Sequence, residues 1–126
     1  MDTSSFKLSQ ISFVMLGVHD LPRAVAFYRN KLGLSVKSEI PGFAFLDGGN
    51  VTLCLSQPLA RSVTPTAGAT EVVFAVEDVT AAYEALRARG VTFANEPRNV
   101  TGSFWAANFE DPDGHKLSIF GPQSKK

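Results

Sequence analysis

The strongest constraint on the fold is that the second half of the chain repeats the pattern of the first half. In each half an apolar run precedes an aspartate, and a stretch with helical apolar spacing then ends at a glycine. Asp78 follows Asp20 by 58 positions, and Gly90 follows Gly33 by 57. Spacing this constant along 126 residues predicts that the chain contains two copies of one structural unit.

Each unit is expected to be a βαβββ module. SFVMLGV at 12–18 and EVVFAV at 71–76 predict buried strands, each followed by a helix that an aspartate caps and a glycine ends. Three further strands are predicted in each half, at about 34–40, 43–47 and 51–56, then at 91–95, 103–109 and 115–120. The prediction is one α+β domain.

The two modules are predicted to cover about 11–56 and 70–121. Between them, QPLARSVTPTAGA at 57–69 holds two prolines and no apolar period, which is typical of a linker. A sheet with one helix leaves its other face bare. Two modules side by side would form a curved eight-stranded mixed sheet, with a concave trough suited to a small-molecule ligand.

The amino-acid composition excludes several classes of binding partner. Lys plus Arg and Asp plus Glu number 12 each, which argues against nucleic acid and against a membrane surface as partners. No apolar run approaches the roughly 18 residues of a membrane span. The first ten residues lack the features of a secretion signal, and the single Cys54 excludes an internal disulfide. A cytoplasmic protein with a small organic partner is expected.

Two strings carry a family resemblance. VMLGVHDLPRAVAFYRNKLGL in the first half and FEDPDGHKL in the second, within the paired βαβββ pattern, resemble the vicinal oxygen chelate superfamily. That superfamily includes glyoxalase I, extradiol dioxygenases, fosfomycin-resistance transferases and bleomycin-resistance proteins. The likeness spans residues 11 to 121. It implies the trough described above and a homodimer.

The same resemblance implies where a metal would bind. Enzymes of the superfamily hold one metal ion in the trough, at positions that fall here on Phe13, Cys54, Glu71 and Ser118. Only Glu71 is an ordinary ligand for a hard divalent metal, and such sites need about three N or O donors. The substitutions therefore predict no metal and no cofactor.

The resemblance also orients the strand residues. It places Phe13, Met15 and Phe104 toward the trough as an apolar lining, which suits a flat or apolar molecule. It adds a few polar groups to that lining: Cys54, Glu71, Asn108 and Ser118. In an apolar trough, desolvation would favour the neutral form of the Glu71 carboxyl group and make it a candidate base.

Other polar and aromatic residues are interpreted as structural. His19 lies beside a helix cap, and His115 follows a turn in which Pro112 and Gly114 suit their positions. Asp111 and Asp113 have the spacing of turn-stabilising aspartates. Trp105 is expected to pack in the core on the helix side of its strand.

Three classes of function remain open at this point. The first is a metal-independent protein that binds a small organic molecule, in a resistance or sequestration role. The second is a glyoxalase-like lyase, an isomerase or a dioxygenase with an altered metal site and Glu71 as the base. The third is a structural subunit, which predicts no open trough.

Overall fold

A computed structural model describes residues 11–62 and 70–123 and confirms an α+β fold with two tandem βαβββ modules. The first module contains β1 (Phe13–Gly17), α1 (Leu21–Ala26, continued by a π-helical turn at Phe27–Lys31), β2 (Val36–Ile40), β3 (Phe43–Asp47) and β4 (Thr52–Ser56). A short helix α2 (Gln57–Ser62) follows. The second module contains β5 (Glu71–Ala75), α3 (Val79–Ala88), β6 (Arg98–Thr101), β7 (Phe104–Glu110) and β8 (Lys116–Pro122).

The principal helices begin and end where the sequence predicts. The Asp20 carboxylate accepts a hydrogen bond from the N–H of Arg23 at 3.0 Å, and Asp78 accepts one from Ala81 at 3.2 Å. Each contact satisfies an N–H group that has no partner within the helix. Gly33 and Gly90 follow the helices with φ of 84° and 92°, a backbone conformation that favours glycine.

The eight strands form two four-stranded mixed sheets. Their strand orders are β1-β4-β3-β2 and β5-β8-β7-β6. In each sheet the first strand of the module pairs in parallel with the last one, while the remaining pairs are antiparallel. The duplication seen in the sequence is therefore also a duplication of topology.

One predicted strand is in the wrong place. The segment 91–95 makes only a single bridge, between Phe93 and Phe109, and the edge strand β6 forms later, at Arg98–Thr101. Val91 is buried, and the Phe93 ring packs between Tyr83 and Phe109 with centroid distances of 4.7 and 5.0 Å. The apolar residues of 91–95 thus fill the core under α3 instead of pairing along a sheet.

The predicted linker begins as a helix. Ser56 ends β4, and its hydroxyl accepts the N–H of Leu59 at 3.1 Å, as a helix-capping residue does. Pro58 is tolerated in this first turn because its missing N–H would have had no helical partner. The rest of the predicted linker, 63–69, lies outside the described residues.

The DPDG turn has the structural role predicted for it. The Asp111 Oδ1 atom accepts the N–H groups of Asp113 at 3.0 Å and of His115 at 2.8 Å. The Asp113 carboxylate in turn accepts the N–H of His19 at 2.9 Å. These aspartates hold backbone groups in place, as expected of turn residues.

The same turn joins the two modules. The buried Tyr28 hydroxyl donates to Asp111 Oδ2 at 2.8 Å, and the His115 Nε2–H donates to the carbonyl oxygen of Gly17 at 2.6 Å. Tyr28 and Gly17 belong to the first module, whereas the turn belongs to the second. The contacts therefore fix the start of β8 against the end of β1.

The modules also share one hydrophobic core, formed by the helix-bearing side of each sheet. Leu32 and Leu34 of the first module and Phe74, Leu86 and Phe109 of the second line a common cavity of 330 Å³. Nearby, the Arg89 guanidinium donates to the carbonyl oxygen of Lys31 at 3.2 Å. Contact between the modules thus involves their helix-bearing sides, and the opposite face of each sheet carries the exposed apolar side chains described below.

Candidate ligand-binding faces

The first open face is the side of the first sheet opposite α1. Alternation along the strands places Phe13, Met15, Phe45, Thr52 and Cys54 there, and cross-strand register puts Met15 and Phe45 on either side of Cys54. Phe13 and Met15 are 46% and 36% exposed, which is high for large apolar side chains. The Phe13 ring meets Phe45 edge to face at 6.1 Å. This face is therefore an accessible aromatic surface.

Cys54 lies beneath that surface. Its side chain is fully buried, and the thiol makes a long contact of 3.8 Å with the carbonyl oxygen of Leu55. Burial raises the pKa of the thiol because the thiolate would lose its hydration. Cys54 is thus a neutral, buried thiol, and a ligand on the first open face would first meet its neighbours.

The second open face is the side of the second sheet opposite α3. Strand alternation and register place six side chains on its central part: Glu71, Val73, Phe104, Asn108, Ser118 and Phe120. Val73 is 53% exposed and Phe104 is 43% exposed. Phe104 and Phe120 stack nearly parallel, with ring centroids 5.3 Å apart. The face therefore offers a flat aromatic platform.

A row of polar contacts crosses the second open face. The buried Ser118 hydroxyl donates to Glu71 Oε2 at 2.7 Å. Asn108 lies directly opposite Ser118 in the β7–β8 register, and its Oδ1 atom accepts a hydrogen bond from Arg98 Nη2 at 3.3 Å. Four strands thus contribute to one polar row beside the aromatic platform.

Arg98 is the member of this row that sequence reasoning missed. Placing β6 at 91–95 removed Arg98 from the sheet. The signal that would have found it is the G-S pair at 102–103 directly before β7, a two-residue turn sequence typical of a hairpin. A hairpin there requires the preceding residues, including Arg98, to pair with β7.

The structure divides the predicted site residues between the two faces. Three of them lie on the first open face: Phe13, Met15 and Cys54. The other four lie on the second open face: Glu71, Phe104, Asn108 and Ser118. No hydrogen bond or ring contact joins one group to the other within residues 11–62 and 70–123.

The positions implied for a metal do not fit one. Phe13 has no donor atom, Cys54 is a buried protonated thiol, and the Ser118 hydroxyl already donates to Glu71. Across the described part of the chain, no three His, Cys, Asp or Glu side chains lie close enough together to hold a metal ion. The donor set therefore supports no metal-centred step.

The fold and the two open faces together are typical of a protein with a small-molecule site. Paired βαβββ modules carry one aromatic face and one face that combines aromatic and polar groups, which is the composition of a small-molecule site. None of the described helices is long and apolar enough to cross a bilayer.

Comparison with known proteins assigns the chain to a family. The sequence profile of the Glyoxalase/Bleomycin resistance protein/Dioxygenase superfamily matches residues 10–119. The chain belongs to this superfamily, and the resemblance inferred from the two strings is confirmed.

Three relatives show the range of functions within it. A glutathione transferase, FosA, from Serratia marcescens is 33% identical over 116 residues, covering 89% of this chain and 80% of the relative. A lactoylglutathione lyase from Haemophilus influenzae is 33% identical over 130 residues, covering 93% and 96%. TnmS3, an antibiotic binding protein from Streptomyces sp. CB03234, superimposes with a TM-score of 0.77 at 25% identity, covering 94% and 99%. Two are named as enzymes and one as a binding protein, so membership alone assigns no reaction.

Proposed function

We propose that this protein binds a small organic molecule with a flat apolar body, independently of metal, in a sequestration or resistance role. The observation that carries the proposal is the stacked pair formed by the exposed Phe104 and the half-buried Phe120 beside a polar row. Stacked rings bind flat molecules by area and by ring contacts, and the polar groups orient them. The similarity to an antibiotic binding protein supports the same class of function.

The proposed contact residues come from both open faces. On the first face they are Phe13 and Met15, with Cys54 beneath them; on the second they are Glu71, Phe104, Asn108 and Ser118. No hydrogen bond or ring contact between described residues joins these two faces, and we propose a homodimer in which the first open face of one copy meets the second open face of the other. Each copy would bury apolar side chains that are otherwise exposed, which favours association.

A binding experiment in the presence of a chelator tests the proposed metal-independent binding. The probe is 1-naphthamide, a flat neutral aromatic, titrated calorimetrically into protein in EDTA. Phe104→Ala should weaken its binding about threefold to tenfold, because an aromatic contact is worth about 0.5–1.5 kcal/mol. The control is Tyr83→Phe, which changes an aromatic side chain that packs on Phe93 away from both open faces and should leave binding unchanged.

Sedimentation equilibrium on the same samples tests the dimer. A monomer at all concentrations would contradict the proposed homodimer. Naphthamide binding that appears only after divalent metal is added would contradict the proposed metal-independent binding.

An enzyme is the second candidate, favoured by one observation. The Glu71 carboxylate is exposed and held by the Ser118 hydroxyl, so an accessible base is present. The similarity to a lactoylglutathione lyase suggests the assay: formation of lactoylglutathione with Mn²⁺, Ni²⁺, Zn²⁺ or Fe²⁺ added. Turnover that Glu71→Gln abolishes would favour the enzyme; equal background rates in both proteins would exclude that reaction.

We also propose a cytoplasmic location, because the chain has one cysteine and that cysteine is a buried free thiol. Fractionation of expressing cells, followed with an antibody, checks this.

A further inference from the structure

The charges on the second open face are unevenly matched. Glu71, Lys116 and Glu110 lie directly opposite one another on β5, β8 and β7, so Lys116 has a carboxylate-bearing residue on either side. Arg98, on the edge strand β6, lies opposite the uncharged Ala106. Opposite charges placed across strands stabilise each other. Arg98 does not belong to this set of opposed charges. Arg98 is therefore the cation of this face without a cross-strand carboxylate.

The guanidinium of the exposed Arg98 is oriented on this face by a hydrogen bond. Its Nη2 atom donates to Asn108 Oδ1 at 3.3 Å. Asn108 is itself fixed, because its backbone N–H donates to Asn95 Oδ1 at 3.1 Å and its carbonyl oxygen accepts the N–H of Ala94 at 2.7 Å. An amide oxygen is neutral, so the contact orients Arg98 without neutralising its charge.

The remaining N–H groups of Arg98 have no partner within residues 11–62 and 70–123. A guanidinium carries five N–H donors in a planar fork, and the planar group of matching shape is a carboxylate bound through two parallel hydrogen bonds. No described carboxylate forms an ion pair with Arg98. The free N–H donors of Arg98 therefore suit an acidic group that is supplied from outside the chain and accepts these hydrogen bonds.

The rest of the face defines what the acid is attached to. Asn108 and Ser118 lie opposite each other, so the Arg98 contact reaches the same row as the Ser118–Glu71 contact. Phe120 lies in the neighbouring row, opposite Ala106, and stacks with Phe104. An acidic group at Arg98 is thus next to an aromatic platform.

We propose that the ligand is a flat, mainly apolar carboxylic acid, and that Arg98 binds its carboxylate while Asn108 positions the guanidinium. This inference rests on the proposed binding function and narrows its ligand class.

Two probes that share one ring system and are similar in size test the role of Arg98. They are 1-naphthoate, an anion, and 1-naphthamide, its neutral counterpart. Calorimetric titration of the full chain should give 1-naphthoate a dissociation constant about twofold to fivefold lower, as expected of one exposed ion pair. Added salt should reduce that preference. Arg98→Gln should abolish the preference, so that both probes bind with the same dissociation constant, because the aromatic platform that both rings contact is unchanged.

A matched arginine serves as the control. Arg87→Gln removes an exposed guanidinium that lies over the Tyr83 ring on α3, 5.2 Å from its centroid, and should keep the full preference. Arg98→Lys, which keeps the charge and loses the planar fork, should keep part of it. Circular dichroism and urea unfolding of each variant exclude unfolding as the cause of a change.

The failures are distinguishable. If the wild type binds both probes equally, the role of Arg98 is overturned and the aromatic binding function stands. If Arg98→Gln weakens both probes equally, Arg98 has a structural role and the inference is overturned. If the wild type binds neither probe, the proposed function fails, and the inference fails with it.

Discussion

Replacing Tyr28 with phenylalanine tests whether the DPDG turn stabilises the chain through a buried contact between modules. Tyr28 is fully buried, Asp111 is 5% exposed, and the hydroxyl donates to Asp111 Oδ2 at 2.8 Å. The other oxygen of Asp111 is occupied by the backbone N–H groups of Asp113 and His115. Without the tyrosine hydroxyl, Oδ2 would lose its only hydrogen bond in the described part of the chain.

The size of the effect follows from that geometry. A hydrogen bond to a charged group contributes about 1.5–3 kcal/mol, and the cost is greatest when the partner left behind is buried. The phenylalanine ring fills the same space, so no cavity adds to the cost. With a urea dependence of about 1.5 kcal/mol per M, the unfolding midpoint should fall by about 1–2 M.

The pH dependence has a definite sign. Burial, followed by the Asp111 charge and hydrogen bond, raises the pKa of Tyr28 far above its ordinary value of 10.0. The folded protein therefore keeps the phenol protonated while the unfolded chain ionises it. Stability from Tyr28 is complete below about pH 10 and falls by about 1.4 kcal/mol per pH unit above that value. The gap between wild type and Tyr28→Phe should narrow above pH 10.

The assay is urea unfolding followed by circular dichroism at pH 7 and at several values above pH 10. Tyr83→Phe is the matched control, because the Tyr83 hydroxyl makes no hydrogen bond with any described residue. It should change the unfolding free energy by less than about 0.5 kcal/mol. A Tyr28→Phe variant as stable as wild type at pH 7 would refute the reasoning.

Two further predictions concern the core. Gly121→Ala should destabilise the chain by about 1–3 kcal/mol in urea unfolding, because a Cβ atom at this buried position would collide with the backbone carbonyl of Val76; an unchanged midpoint would show that the β5–β8 backbone yields easily. Cys54 should react with iodoacetamide at least tenfold more slowly in the folded protein than in urea, since burial excludes the reagent and raises the pKa of the thiol; equal rates would show that the first open face opens freely.

Local rules predicted most of the fold. The Asp20 and Asp78 caps, the glycine stops and the strand alternation each depend on a few neighbouring residues, and all are present in the structure. The error at 91–95 has the opposite origin. Val91 and Phe93 have a strand-like composition, but tertiary packing against Tyr83 and Phe109 places them in the core.

The site was less predictable because it depends on relations between distant segments. Register places Ser118 opposite Asn108, and this pairing with the position of β6 decides that Arg98 reaches the same row. The family resemblance predicted which face of the sheet carries Phe104, Asn108 and Ser118. It could not show that contact between the modules would involve their helix-bearing sides.

At the four positions where the family resemblance implies metal ligands, the side chains of this protein are buried or make contacts with other side chains. Phe13 contacts Phe45, Cys54 is buried beneath its neighbours, and Ser118 holds Glu71 through a hydrogen bond. Restoring one donor would not restore a site: Ser118→Glu would place a second carboxylate at a position only 2% exposed, where desolvation and repulsion from Glu71 both oppose its charge. Several coordinated changes would therefore be needed before these four positions could supply the three or so donors that a metal ion requires.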